Sequence, residues 1–176
     1  MSEILWLAVI VAVWFVVRRL TPRPPKKLKS LDQLQEAAEQ GDADAQYELG
    51  WIYGSDMDKD AKAVLEYNVE KDVVKSFEWY RKAALQGHAE AQLRLSLCYS
   101  LGKGVAEDGV LSSEWLQKSV EQGYAGAQLW LGLRYYYGEE GVEKDLDKAI
   151  EWITKAANQG DELAIAHLKR LKDGTL

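Results

Sequence analysis

Residues 127–160 read AQLWLGLRYYYGEEGVEKDLDKAIEWITKAANQG, and this stretch decides the fold. Its apolar and small residues recur at helical spacing on both sides of a glycine-rich turn. The closing phrase AANQG has earlier counterparts in AAEQG, AALQG and SVEQG, whose glycines stand at positions 41, 87, 123 and 160. The intervals between these glycines are 46, 36 and 37 residues, which indicates that the chain is built from a repeated unit.

Three further residue types recur in phase with these glycines. Alanine follows four residues later, leucine eight and, in the first three units, tyrosine twelve: Ala45, Ala91, Ala127, Ala164; Leu49, Leu95, Leu131, Leu168; Tyr53, Tyr99, Tyr135. They form one stripe on a helix, and Trp79, Trp115 and Trp152 form a matching stripe on a second helix. The tryptophans are interpreted as core residues rather than as an aromatic ladder. One hairpin cannot bury its apolar face alone, so the pattern predicts an all-α solenoid of about three stacked helix–turn–helix units.

This pattern resembles the Sel-one-like repeat family, which is related to the tetratricopeptide repeats. The third unit matches best, with Ala127, Leu131, Gly132, Tyr135, Gly138, Gly141, Val142, Asp145, Lys148, Ala149, Trp152, Lys155, Ala156, Ala157 and Gly160. The second unit departs at Ser96, Ser112, Ser119 and Val120, and Gly109 predicts that its second helix begins late. The first unit carries an insertion of about ten residues between Gly54 and Asp72. Residues 31–41 and 161–171 are expected to be half-repeat caps at the two ends.

Repeat solenoids bind partners on the concave face that is lined by the first helix of each unit. Alignment with the tetratricopeptide pattern gives the candidate partner-binding residues Tyr47, Trp51, Leu93, Leu97, Leu129, Leu133, Tyr136 and Tyr137. Such a groove suits an amphipathic helix or an extended peptide. The alternative is that several of these residues are core between repeats. Trp51, Tyr136 and Tyr137 are the strongest candidates, because aromatic anchors dominate interface energetics.

A different kind of sequence precedes the repeats. The run from Ile4 to Val17 is entirely apolar, and six Lys/Arg follow it within residues 18–29. Glu3 before the run and arginines directly after it are wrong for a cleaved signal peptide. The sequence therefore predicts a membrane anchor helix, a basic proline-rich linker and a repeat domain, over residues 1–20, 21–30 and 31–176. The positive-inside rule predicts a single-pass protein of the inner (cytoplasmic) membrane, inserted through residues 4–20, with its repeat domain facing the cytoplasm.

The charge is divided unevenly between these parts. The net charge is −6, but residues 1–30 carry +5 and residues 31–176 carry −11. An acidic domain is repelled by phosphate backbones, which argues against nucleic-acid binding, and it favours a partner with a basic patch.

The spacing of cysteine, histidine and acidic residues in this sequence is not typical of a catalytic or metal-binding site. The single cysteine, Cys98, cannot form an internal disulfide, and His88 and His167 are far apart, with His167 expected to be exposed. Gly102 and Gly104 read as an inter-helix turn rather than a phosphate loop. Asp56, Asp58 and Asp60 have the spacing that begins a calcium loop, but Ala61 and Tyr67 stand at its sixth and twelfth positions. No metal, cofactor or enzymatic activity is predicted.

The resemblance implies an adaptor, so we expect a membrane-tethered protein–protein interaction module or scaffold that binds a basic or membrane-bound protein on its concave face. The alternative is a bacterial immunity or inhibitor protein that neutralises a toxin or effector at the envelope. That alternative requires a domain facing the periplasm.

Overall fold

The computed structural model describes residues 30–54, 69–138 and 141–173. These ranges form eight helices: α1 (Leu31–Glu39), α2 (Ala43–Gly54), α3 (Val73–Leu85), α4 (Ala89–Leu101), α5 (Gly109–Glu121), α6 (Ala125–Tyr137), α7 (Leu146–Asn158) and α8 (Glu162–Asp173). Each helix packs on the next, and the most extensive pairings are α2 with α3, α4 with α5 and α6 with α7. These pairs are the three predicted units, and α1 and α8 are the predicted half-units. The α-solenoid is therefore confirmed.

The predicted location in the inner membrane is contradicted. Within the residues that the structure describes, no helix is long and apolar enough to cross a membrane. The anchor predicted for residues 1–20 and the linker predicted for residues 21–30 lie outside the described residues, apart from Ser30, which caps α1. Most of the insertion also lies outside them, including Asp56, Asp58 and Asp60.

An aspartate begins the second helix of every unit. The carboxylate of Asp72, Asp108 or Asp145 accepts hydrogen bonds from backbone N–H groups in the first turn of α3, α5 or α7. These bonds satisfy donors that have no partner within the helix. The cap at Asp108 also corrects the late start predicted from Gly109, because α5 begins at Gly109 itself.

These caps are expected to make the stability of the fold depend on pH in the acid range. The backbone N–H of Lys75 lowers the pKa of Asp72, and that of Lys148 lowers the pKa of Asp145. A carboxylate whose pKa is lower in the folded than in the unfolded chain stabilises the fold above the unfolded value of about 3.9, and this contribution is lost as the pH falls through the folded value. We therefore expect the thermal unfolding midpoint, followed by circular dichroism, to fall between about pH 5 and pH 2. The fall should be smaller in Asp145→Asn, which keeps an acceptor but does not titrate; an equal fall in both proteins would contradict this role.

The helices of one unit approach closely because a glycine or serine of the first helix faces the second helix. A Cβ atom at Gly132 in α6 would lie 2.7 Å from Cγ1 of Ile153 and 3.1 Å from the backbone nitrogen of that residue in α7. The second unit has Ser96 at the same phase, and its hydroxyl oxygen lies 3.3 Å from that of Ser112 in α5. Both serines are fully buried. Two of the four departures of the second unit from the repeat pattern, Ser96 and Ser112, therefore form a compensating, hydrogen-bonded pair.

The three recurrent tryptophans are half-buried between core and solvent. Trp79, Trp115 and Trp152 each pack against a cluster of buried side chains. A lysine three residues further along covers each ring, at 3.9, 3.9 and 3.8 Å from Nζ to the ring centroid for Lys82, Lys118 and Lys155. The structure thus places these residues at the edge of the core, with a cation–π contact on the outer side.

Glutamine pairs join the two helices of all three units, where each second helix ends. In each unit the glutamine before the closing glycine donates to a buried glutamine of the first helix: Gln86 to Gln46 at 2.7 Å, Gln122 to Gln92 at 2.7 Å and Gln159 to Gln128 at 2.8 Å. Gln46 and Gln92 in turn donate to the carbonyl oxygens of Ala38 and Ala84 in the preceding helix. We call this set of bonds the glutamine ladder.

Candidate partner-binding face

The first helices of the three units each present a set of residues at i, i+3, i+4 and i+7, which lie on one side of a helix. We call these positions the inner face. They are Asp44, Tyr47, Glu48 and Trp51 on α2; Glu90, Leu93, Arg94 and Leu97 on α4; and Gly126, Leu129, Trp130 and Leu133 on α6. Six of the eight predicted partner-binding residues belong to this face. It is acidic and aromatic on α2 and becomes apolar on α6.

The four predicted leucines are core residues. Leu93, Leu97, Leu129 and Leu133 are at most 5 % exposed and belong to one cluster that joins α4 to α6. A partner protein cannot reach these buried side chains in this structure. They fit the alternative interpretation, in which several of the predicted residues form the core between repeats.

The four predicted aromatic residues are half-buried and fall into two groups. Tyr47 and Trp51 lie one turn apart on α2 and pack against the cluster around Leu95. Tyr136 and Tyr137 lie at the end of α6, with their rings edge to face at 5.0 Å, and Nζ of Lys144 is 5.5 Å from the Tyr136 ring centroid. The eight predicted residues therefore divide between the core, the inner face of α2 and the end of α6.

The structure adds a polar cluster that was not predicted from the sequence, formed by Tyr47, His88, Glu90, Arg94 and Tyr124. The Tyr47 and His88 rings are stacked with centroids 4.8 Å apart. Arg94 is only 8 % exposed, and its Nη2 lies 4.0 Å from Oε1 of Glu90. The cluster therefore holds a buried guanidinium beside a carboxylate and phenol rings, between α2 and the start of α6.

Burial and the neighbouring charges set the protonation of this cluster. Burial raises the pKa of Tyr47 and of Tyr124, and Glu90 raises both further, so both phenols stay neutral. Burial opposes the charge on Arg94, whereas the neighbouring carboxylate of Glu90 favours that charge and raises the pKa of the guanidinium. The cluster thus keeps one fixed positive charge.

His88 connects the cluster to the acidic surface of α2. Its Nδ1 accepts a hydrogen bond from the backbone N–H of Ala91 at 3.1 Å, so in the neutral ring the proton is on Nε2. Nε2 lies 3.3 Å from a carboxylate oxygen of Asp44, whose side chain is 86 % exposed. His88 therefore caps α4 and orients a surface carboxylate at the same time.

Negative charge is concentrated at this end of the solenoid. Residues 30–54 contain no Lys or Arg and six acids: Asp32, Glu36, Glu39, Asp42, Asp44 and Glu48. All except Glu48, which is half-buried, are exposed. An exposed surface with one sign of charge raises the local concentration of oppositely charged partners.

The remaining titratable candidates are structural. Burial raises the pKa of the Cys98 thiol to about 12, so the thiol is unreactive at neutral pH. The prediction that His167 is exposed is wrong, because its side chain is 8 % exposed. Burial lowers the pKa of His167, and Arg170 lowers it further. Across residues 30–54, 69–138 and 141–173, no group of three or more His, Cys, Asp or Glu residues is placed to hold a metal ion.

Stacked helical hairpins with an acidic, aromatic inner face define a repeat solenoid of the kind that binds other proteins. The family model for the Sel1 repeat matches residues 43–63, 65–88, 89–124 and 125–161, and the chain belongs to this family. The first two matched ranges cover the first unit and its insertion. Sel1 repeat proteins generally mediate protein–protein interactions, and the fold is typically non-enzymatic.

Two solved structures are similar to this chain. A Sel1 repeat protein from Oxalobacter formigenes is 35 % identical, with a TM-score of 0.64, and the match covers 79 % of this chain and 98 % of that one. The protein c5321, described as a protective antigen present in uropathogenic Escherichia coli strains and displaying an SLR fold, is 32 % identical, with a TM-score of 0.54. That match covers 84 % of this chain and 37 % of the longer one. No curated protein matches the chain.

Proposed function

We propose that this protein is an interaction module that binds a basic, extended segment of a partner protein on the inner face of α2. The observation that carries the proposal is the side of α2 on which Asp44, Tyr47, Glu48 and Trp51 stand together. Carboxylates attract Lys and Arg side chains, and half-buried aromatic rings accept their aliphatic stems and apolar neighbours. Six acids without a base in residues 30–54 extend this attraction beyond the contact itself.

Tyr136 and Tyr137 are proposed as a second contact for a longer segment. Their rings are half-buried at the end of α6, on the same series of first helices as Tyr47 and Trp51. The four predicted leucines support this surface from the core and are not proposed as contacts. The contacts described above give no support to the alternative of an immunity or inhibitor protein.

A peptide-display selection against the full-length protein tests the proposal without a known partner. We expect the selected peptides to be enriched in Lys and Arg next to an apolar residue. Asp44→Lys and Trp51→Ala should each weaken the selected peptides by about ten-fold, a typical loss for one interface anchor. Binding should also weaken as salt is raised, because the attraction is between exposed charges.

The matched control is Asp147→Lys, which makes the same charge change at an exposed position on α7. It should leave the affinity within about two-fold. Selected peptides without a basic bias, or an equal loss in Asp44→Lys and Asp147→Lys, would place the binding surface elsewhere.

A further inference from the structure

The inner face of α2 lies close to the point at which residues 1–29 join the solenoid. Nε2 of Gln35 on α1 donates to the hydroxyl of Tyr53 at 3.3 Å, so the two helices run in opposite directions and the end of α2 lies beside α1. Ser30, which caps α1, is therefore nearer to the end of α2 at Trp51 than to its start. The N-terminal residues enter the solenoid at that end of the inner face.

These residues carry the charge that is opposite to that of the face. Residues 18–29 read RRLTPRPPKKLK, with six bases and no acid, and we call them the basic segment. Residues 30–54 contain six acids and no base. The side chain of Asp44 is 86 % exposed, and its contact with His88 leaves it able to accept further hydrogen bonds, because a carboxylate has several acceptor sites. Adjoining parts of one chain are thus complementary in charge.

The basic segment also matches the aromatic residues of the face. Pro22, Pro24 and Pro25 favour an extended, polyproline-like conformation, and segments with this composition dock on aromatic side chains. Tyr47 and Trp51 are half-buried and lie one turn apart on α2. The segment therefore offers prolines to the aromatic rings and bases to the carboxylates.

The length of the basic segment is sufficient to cover the face. An extended chain advances about 3.1 Å per residue, so residues 18–29 can span about 37 Å. The inner face from Trp51 to Asp44 is about 10 Å long, and neighbouring helices lie about 10 Å apart. The segment can therefore reach from Ser30 past Asp44. Its attachment to the same chain gives it an effective concentration on the order of 1 mM at this face.

We propose that the basic segment docks on the inner face of α2 in its own chain and competes there with a partner protein. This inference rests on the proposed function, because it assigns a second occupant to the same face. A partner binds only when it displaces the segment, so the chain lowers its own affinity for weak basic partners. The docking is electrostatic and should weaken as salt is raised.

A paramagnetic label on the segment tests the docking in the full-length chain without a partner. Thr21→Cys places a spin label among the bases, and the buried Cys98 remains unlabelled at neutral pH. We expect the amide signals of residues 44–51 to lose intensity and those of α7 to keep it. Asp44→Lys should restore the signals, whereas the exposed control Asp147→Lys should not.

A mixture of spin-labelled chains and isotope-enriched chains without the label separates docking within one chain from docking between two copies. The loss of intensity at residues 44–51 is expected only when both labels are on the same chain. An equal loss in the mixture would assign the face to a second copy. No loss in either sample would show that the segment does not occupy the face, and either result would overturn the proposal.

A synthetic peptide with the sequence of residues 18–29 measures the competition. Replacing four bases of the full-length chain with glutamine should raise its affinity for the added peptide by about ten-fold, because the tethered competitor is weakened. These four are Arg18, Arg19, Lys26 and Lys27. The control replaces four exposed bases elsewhere, Arg81, Lys118, Lys155 and Lys169, and should stay within about two-fold of the parent.

The competition and the proposed function fail separately in these experiments. Equal, Asp44-dependent binding of the peptide to all three proteins would overturn the competition and leave the proposed function intact. Docking of the basic segment, together with a peptide-display selection that yields no basic bias, would support the docking and overturn the proposed function alone.

Discussion

Replacing Gly132 with valine should lower the free energy of unfolding by about 3 kcal/mol, at the upper end of the usual cost of overpacking a core. The added Cβ would lie 2.7 Å from Cγ1 of Ile153 and 3.1 Å from the backbone carbonyl oxygen of Ala149. The side chain of Ile153 is fully buried and cannot move aside, and the backbone of α7 cannot yield without shifting the whole helix. Valine also gains only a few tenths of a kcal/mol over glycine in helix propensity, which does not offset the clash.

Urea unfolding with and without the substitution measures this cost, and Gly109→Ala is the matched control. Gly109 is also helical, but a Cβ atom there meets nothing within 4 Å. That variant should therefore remain within about 0.5 kcal/mol of the parent. Because each unit of a solenoid contacts only its neighbours, hydrogen exchange in Gly132→Val should rise mainly in α6–α8 and little in α1–α3. Similar stability for the two glycine variants would show that the helices separate more easily than their packing indicates.

Replacing Gln92 with alanine should cost about 2 kcal/mol, since it removes one buried and one partly buried hydrogen bond at about 1 kcal/mol each. Gln92 donates to the carbonyl oxygen of Ala84 at 3.2 Å and accepts from Gln122 at 2.7 Å, so one side chain joins three helices. Its residue is 5 % exposed, and its truncation also leaves a small cavity.

Gln117→Ala provides the control for this prediction. Gln117 is exposed, and within the described part of the chain its side chain bonds to Glu121 of its own helix, at 3.1 Å. Its removal should cost less than about 0.5 kcal/mol in the same urea titration. A loss at Gln92 no larger than the loss at Gln117 would mean that the glutamine ladder does not stabilise the stack.

The repeat phase predicted the helices well because it is a property of many residues at once. The recurrence of alanine, leucine and tyrosine identified α2, α4, α6 and α8, and the recurrent tryptophans identified α3, α5 and α7. The repeat phase could not predict which residues of the inner face line a binding groove and which belong to the core. Leu93 and Leu129 are apolar on the inner face, and an apolar side chain suits both a core and a binding groove. Only the packing of α4 against α6 decides between them.

Two other features were present in the sequence but were not used. His167 follows Gly160 at the same distance at which Arg94 follows Gly87 and Trp130 follows Gly123, and all three side chains are buried. The phase of His167 therefore outweighs the usual preference of histidine for partial exposure. The glutamine ladder was missed because a single glutamine is normally exposed. Its signal is the recurrence of glutamine at a fixed phase.

The glutamine ladder also bears on how such a chain changes length in evolution. The first helices α2, α4 and α6 carry a glutamine at the same phase, and the second helices α1, α3, α5 and α7 end in the similar phrases AAEQG, AALQG, SVEQG and AANQG. Removal of residues 88–123 would therefore place the helix that carries Gln128 directly after α3. Gln128 would then face the carbonyl oxygen of Ala84, to which Gln92 donates now. Duplication or deletion in register with one unit thus recreates a compatible joint, whereas a change out of register removes it.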